Sequence, residues 1–194
     1  MRNYKIIDTF PFNGETEMLK MRFDYLNDVV DYFVICESDA TQTGEKKELS
    51  YVNNSHLFEE YKNKIVYIVF TPTQEDIEGR KDDQFHIERK HRDFMRDTIV
   101  RLSDINTMTM LSDVDEFPKK ELFDEIWETV KDMNMDAVSC KLKTFYYSPI
   151  CELDIECFAT VIVNDYTLRN INRFSELRRY TFNCKHFENA GWHF

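Results

Sequence analysis

The sequence predicts an α/β fold with a mostly parallel central sheet flanked by helices, and three observations predict it. Apolar runs of strand length alternate with segments of helical period through residues 1–135. Hydrophobic residues make up 42% of the 194 residues and aromatics 14%, against four Gly and four Pro, too little punctuation for linkers or disordered tracts. The length suits one domain, which buries about 70% of its unfolded surface without needing a disulfide or metal staple.

Tyr4 to Phe10 (YKIIDTF) reads as the first strand. Gly14 to Asp28 follows as a helix, entered through Asn13-Gly14 with Glu15 and Glu17 in its first turn. Val30 to Glu37 (VDYFVICE) is the second strand. A polar loop, Thr41 to Ser50, leads through a short helix around Ser55 to Tyr61 to a third strand, Lys64 to Phe70. Asp82 to Leu102 is a long charged helix with one wet face. Thr107 to Ser112 is a strand running straight into Asp113-Val114-Asp115, and Pro118 is expected to open an amphipathic helix ending near Asn134. Beyond Asp136 the pattern turns β-rich: Ala137 to Tyr147 and Thr160 to Arg169, joined by the acidic segment Cys151 to Phe158. Residues 1–135, of alternating strands and helices, and residues 136–194, rich in strands, are therefore expected to be two halves of a single domain.

Asp plus Glu number 36 against 25 Lys plus Arg, a formal charge of -11. Such a field repels phosphate backbones and anionic lipid, which argues against nucleic acid and acidic membranes as partners. An anionic substrate would need local positive charge, most simply a divalent cation. The five cysteines, Cys36, Cys140, Cys151, Cys157 and Cys184, show no CxxC spacing and read as reduced thiols. With no signal peptide and no run of ~20 apolar residues, a cytoplasmic chain is expected, or a Golgi-lumen one if an anchor has been removed.

On an extended segment Asp113 and Asp115 would project the same way, with Cα atoms about 6–7 Å apart, at the strand end where open α/β sheets bind ligands. Two converging carboxylates suit Mn²⁺ or Mg²⁺, with positions left for water and substrate phosphates. An Asp-x-Asp pattern is common in acidic chains, so its context matters. An EF-hand loop is excluded because Glu116-Phe117-Pro118 follows where Asp or Asn and then Gly are needed. A haloacid-dehalogenase-type phosphatase would place its acidic pair after the first strand.

Segments spread over the whole chain resemble glycosyltransferase family 17. They are Ile7 to Asn13 with Glu15, Asp28 to Ser38 ending in Glu-Ser, Thr43-Gly44, His91-Arg92 where the family usually has Gln-Arg, Ser112 to Pro118 (SDVDEFP), and Gly191-Trp192-His193-Phe194. The resemblance implies a GT-A fold, a nucleotide-sugar donor, UDP-N-acetylglucosamine in the known case, and inverting transfer to a saccharide or glycoconjugate acceptor. It further implies that Asp113 and Asp115 form the metal and donor motif, and that Phe10, Pro11 and Glu37 lie in the nucleotide pocket. On this resemblance residues 1–135 are expected to be the nucleotide-sugar-binding half and residues 136–194 the acceptor-side half, truncated because the family's relatives continue beyond the position of Phe194.

Individual residues carry further expectations. In GT-A enzymes a C-terminal histidine often completes the metal shell, which makes His193 the third ligand. Its ligation should fade below about pH 6, where imidazole holds its proton. Arg92 is a bidentate partner for the donor's diphosphate, its rival role being an ion pair on the helix. Glu116 should point away from Asp115 and serve as a support or helix cap. Trp192 is either core or a sugar platform, and Tyr146 and Tyr147 are candidates to line the sugar site. Inversion needs a general base, for which Glu152, Asp154, Glu156 and Glu188 are the candidates. Two other readings compete: a nucleotide-sugar- or glycan-binding module without catalysis, and a nucleotidyltransferase. The latter wants a Gly-rich basic loop after the first strand, where this chain has Phe10-Pro11-Phe12-Asn13-Gly14.

Overall fold

A computed structural model describes residues 2–132, 137–146, 148–179 and 184–194, with the side chains of Pro149, Glu156 and Arg179 left out. The expected sugar-lining Tyr147, the candidate base Glu156 and the helix end near Asn134 therefore lie outside the described residues.

The chain runs β1 (Lys5–Phe12), α1 (Thr16–Leu26), β2 (Tyr32–Ser38), α2 (Ser50–Asn54), a 3₁₀ turn (Ser55–Tyr61) and β3 (Ile65–Phe70). Next come α3 (Gln74–Gly79), α4 (His86–Leu102), β4 (Thr107–Leu111), β5 (Glu116–Pro118) and α5 (Phe123–Val130). The rest is β6 (Val138–Tyr146), β7 (Ser148–Asn164), α6 (Asp165–Asn170), a 3₁₀ helix (Phe174–Arg179), β8 (Lys185–Phe187) and β9 (Gly191–His193). Among the described residues these strands form one mixed sheet in the order β3-β2-β1-β4-β7-β6-β9-β5, with β8 beside β6. The expected parallel pattern holds for β1 to β4. β7 then reverses direction against β4 and β6.

Period-two alternation divides each strand between two cores. Ile6, Phe10 and Phe12 of β1, Phe33 and Ile35 of β2, and Met108 and Met110 of β4 pack under α1, the Ser55–Tyr61 turn and α5. Ile7, Val34, Cys36 and Leu111 face the opposite way, against Ile87, Met95 and Ile99 of α4 and Leu168 of α6.

Four elements differ from the sequence reading. Pro118 does not open a helix; it ends β5, at the edge of the sheet, where its missing N–H costs no ladder bond. The acidic segment Cys151 to Phe158 is not a connector but part of β7. Thr160 to Arg169 stops being a strand at Asn164, whose side chain accepts from Thr167 N at 2.8 Å and so starts α6. The long helix begins at His86, and α3 precedes it behind a Thr73/Asp76 capping box. The five cysteines are free. No helix among the described residues is long and apolar enough to cross a membrane.

Candidate active site

The acidic motif begins where β4 ends, but it is a turn and not the extended segment the sequence suggested. Glu116 N donates to Asp113 O at 3.2 Å, closing four residues and sending the two aspartates to different partners. Beneath the turn lies Arg22 of α1, fully buried on the same stripe as Leu19, Phe23 and Leu26. Its Nε and Nη2 each meet the equally buried Asp8 carboxylate at 2.7 Å. It also donates to Ser112 Oγ at 2.6 Å and to the carbonyls of Asp113 and Glu116. The Phe10 ring lies 4.7 Å below the guanidinium. The turn's carbonyls are thus held by a paired, buried cation.

Asp113 is gripped from two elements. Its Oδ1 accepts from Arg92 of α4 at 2.5 Å and its Oδ2 from Arg178 of the Phe174–Arg179 helix at 2.8 Å. Burial alone would raise the Asp113 pKa, but the two guanidiniums hold it below the usual carboxylate range. Arg178 also binds both oxygens of Glu116, at 2.6 and 2.7 Å. Glu116 therefore caps no helix; it is a buried anchor for Arg178. Phe85, Glu88, Arg89 and Ser175 join Arg92, Asp113 and Arg178 around a cavity of about 240 Å³. Arg92 makes the ion pair on the helix that was its rival role, with Glu88 at 3.3 Å, and also pairs with Asp113 of the motif.

Asp115 belongs to the other end of the chain. β5 and β9 pair antiparallel, so Glu116 stands opposite His193 and Phe117 opposite Trp192. Phe194 N donates to Asp115 O at 3.2 Å. This pairing needs glycine at 191, because a Cβ there would stand 2.1 Å from the Phe117 carbonyl oxygen. His193 Nε2 lies 3.5 Å from Asp115 Oδ2, and its Nδ1 lies 3.5 Å from Cys157 Sγ on β7. The Asp115 hydrogen bond, then that of Cys157, push the His193 pKa up to about 10 against the opposing effect of burial. Asp115 Oδ1 is buried without a hydrogen-bond partner.

These contacts bear on the expected ligand set Asp113, Asp115 and His193. Asp115 and His193 come together, whereas both oxygens of Asp113 are taken by arginines. Among the described residues no three or more His, Cys, Asp or Glu side chains are arranged to hold a metal ion. The Asp115 carboxylate, with Oδ1 unpartnered and Oδ2 3.5 Å from His193 Nε2, would fit with that imidazole a two-donor site whose other positions would go to diphosphate and water.

The remaining expected residues fall as follows. Phe10 is completely buried under the Arg22 guanidinium, and Pro11 is buried too. Glu37 lies at the carboxyl end of β2, on the expected rim, but it is wholly buried. Its oxygens accept from Ser50 N, Tyr51 N and Tyr67 Oη at 2.6, 3.0 and 2.9 Å, tying down the start of α2. Trp192 packs edge-on to Tyr25. Glu152, Asp154 and Glu188 line a groove of about 450 Å³ with Lys141 and Lys143. Glu152 pairs with Lys143 and Glu188 with Lys141, at 2.9 and 3.1 Å. The register sets this groove beside the motif, since Thr144 pairs with His193 on one side and Leu153 on the other.

Asp8, Arg22, Arg178 and Cys157 escaped the sequence reading. A charged residue at an inward strand position and another in a helix's apolar stripe were the available signals for the first two. Arg178 and Cys157 are far from the motif in sequence and carried none.

The profile of glycosyltransferase family 17 matches residues 1–194. The β-1,4-mannosyl-glycoprotein 4-β-N-acetylglucosaminyltransferases of rat and human are each 30% identical over 125 residues, and that of mouse 29%. The matched stretch is 60% of this chain and only 22% of those relatives, so the chain corresponds to a small part of their length. A mannosyltransferase from Pyrobaculum calidifontis, solved in complex with GDP-Man and Mn²⁺, superposes with a TM-score of 0.56 at 10% identity, covering 96% of this chain and 55% of that one. That likeness establishes the GT-A type of fold. With the family profile matched from the first residue to the last, the chain belongs to glycosyltransferase family 17.

Proposed function

We propose that this chain carries the catalytic centre of a metal-assisted, inverting glycosyltransferase that moves a sugar from a UDP-sugar, N-acetylglucosamine being the best-supported one, to a saccharide acceptor. The observation that carries the reading is the unpartnered, buried Asp115 Oδ1 beside His193, at the carboxyl end of a parallel strand. Family membership supports transferase chemistry. The named activity of the rat and human relatives supports the donor, and the Pyrobaculum enzyme's Mn²⁺ supports the cation.

In this reading Asp115 and His193 would hold Mn²⁺ or Mg²⁺, which when bound would supply positive charge for the departing diphosphate. Arg92 and Arg178 hold Asp113 and leave part of their guanidinium surface toward the cavity, where a diphosphate or ribose can bind. Glu116 keeps Arg178 in place. On the acceptor side, Asp154 lines the groove and, among the described residues, has no ion pair, which leaves it free to take the proton of the acceptor hydroxyl.

The test is titration calorimetry of UDP and UDP-sugars with and without Mn²⁺. The parent should bind UDP more tightly with Mn²⁺ and slowly hydrolyse the matching UDP-sugar, and Asp115→Ala should lose the Mn²⁺-dependent part while staying folded. Asp113→Asn should weaken binding less. Metal-dependent UDP binding that survives Asp115→Ala would overturn the assignment, and binding without any turnover would favour the non-catalytic module.

A further inference from the structure

The imidazole of His193 has a different neighbour at each nitrogen. Nε2 faces Asp115 at 3.5 Å, and Nδ1 has, among the described residues, one hydrogen-bond partner, Cys157 Sγ, also at 3.5 Å. A histidine that ligates through Nε2 must carry its proton on Nδ1 and place it on an acceptor, commonly a carboxylate or carbonyl. Here that acceptor is a sulfur. We propose that Cys157 is a positioning residue, whose thiol receives Nδ1–H and thereby holds the His193 ring with Nε2 turned to Asp115. This rests on the metal reading above.

The sheet brings the two residues together. Cys157 pairs with Leu142 in β6, two residues before Thr144, the partner of His193. β6 thus stands between β7 and β9 and sets both side chains at nearly one level. Cys157 is half-buried and also touches the core that includes Leu142, so a mere packing role must be told apart from an orienting one. Serine keeps a hydrogen-bonding atom and alanine does not, whereas both are smaller than cysteine.

The experiment compares the parent with Cys157→Ser and Cys157→Ala, each labelled with ¹⁵N-histidine. NMR reads the His193 ring nitrogens, and electron paramagnetic resonance measures Mn²⁺ affinity in the presence of UDP. An Nδ1–H signal protected from solvent exchange should be visible in the parent and the serine variant and lost in the alanine variant. Mn²⁺ affinity should drop about tenfold or more in Cys157→Ala, the range seen when such supporting partners are removed, and recover largely in Cys157→Ser. Cys157→Ala with an unchanged Nδ1–H signal and parental Mn²⁺ affinity would overturn the proposal. So would equal losses in both variants, because they would mark packing alone. If no variant, the parent included, binds Mn²⁺, the metal reading fails, and the Nδ1–H signal still decides whether Cys157 orients the ring.

Discussion

Asp113 and Asp115 are separated by one residue and keep the same 34% of side-chain surface exposed, yet they live in different surroundings. Asp113 faces α4 and the Phe174–Arg179 helix, where Arg92 and Arg178 occupy both its oxygens. Asp115 faces β9, where His193 approaches one oxygen and the other has no partner. The Asp113 side is saturated with charge, and the Asp115 side is left open for it. Two identical side chains in one short motif thus divide into an organiser of arginines and a carboxylate with an unpartnered oxygen, because the turn between them points them at different halves of the fold.

The largest expected effect comes from removing what both sides share. Asp8→Ala would leave Arg22 charged and buried with no carboxylate, and breaking such a pair costs about 3–5 kcal/mol. Urea unfolding should show this, with loss of UDP binding on both sides of the motif; a change near zero would mean that Arg22 finds another partner. Gly191→Ala should act on one side only. Its Cβ collides with the Phe117 carbonyl and comes within 2.9 Å of Pro118 Cα, so β9 must shift, at about 1–3 kcal/mol for such overpacking. Mn²⁺-dependent binding should fall in this variant, while the Arg92–Asp113–Arg178 contacts survive in a crystal structure.

The pH response separates the two sides further. The His193 pKa is raised to about 10 by Asp115 and Cys157. The Asp115–His193 ion pair therefore contributes stability fully below about pH 6.5, the unfolded histidine value, and loses it as pH climbs through about 10. A metal must displace that proton, so Mn²⁺ affinity should rise from pH 6.5 towards 9, with about one proton released per ion in calorimetry across several buffers. The window lies higher than the fading below pH 6 inferred for an unpaired imidazole. A pH-independent affinity would remove His193 from the site. The smallest effect is expected at His91, where Gln is usual in the family. The ring is buried, its Nε2 sits 2.9 Å from Cys36 O, and burial lowers its pKa to about 4, so it is neutral. Gln can donate to the same carbonyl, and His91→Gln should change stability by about 1 kcal/mol or less.

The parallel half was legible because its signals are local. Strand-length apolar runs such as IVYIVF and the helical spacing of Leu19, Phe23 and Leu26 need no knowledge of distant residues. Where the reading failed, the cause was a partner far along the chain. Pro118 looks like a helix start until the strand Gly191–His193 is beside it, and Asp113-Val114-Asp115 looks extended until Arg22 draws in its carbonyls. The acidic segment before Ala159 was legible in principle, because Glu152 and Asp154 alternate with Leu153 and Ile155, but its charges masked the period. The family's motifs do meet around the turn, Arg92 on Asp113 and His193 beside Asp115. They could not reveal that Arg178 would complete Asp113, since that contact spans 65 residues.

Arg22 has a consequence for how this site can vary. The shape of the Asp113–Glu116 turn is enforced by a guanidinium from α1, through carbonyl oxygens that every amino acid possesses. Its geometry is therefore written outside the turn itself. A substitution at 115 can therefore alter the chemistry on offer without rewriting the scaffold, provided Asp8 and Arg22 stay untouched, whereas one at 113 would also strip Arg92 and Arg178 of their shared carboxylate.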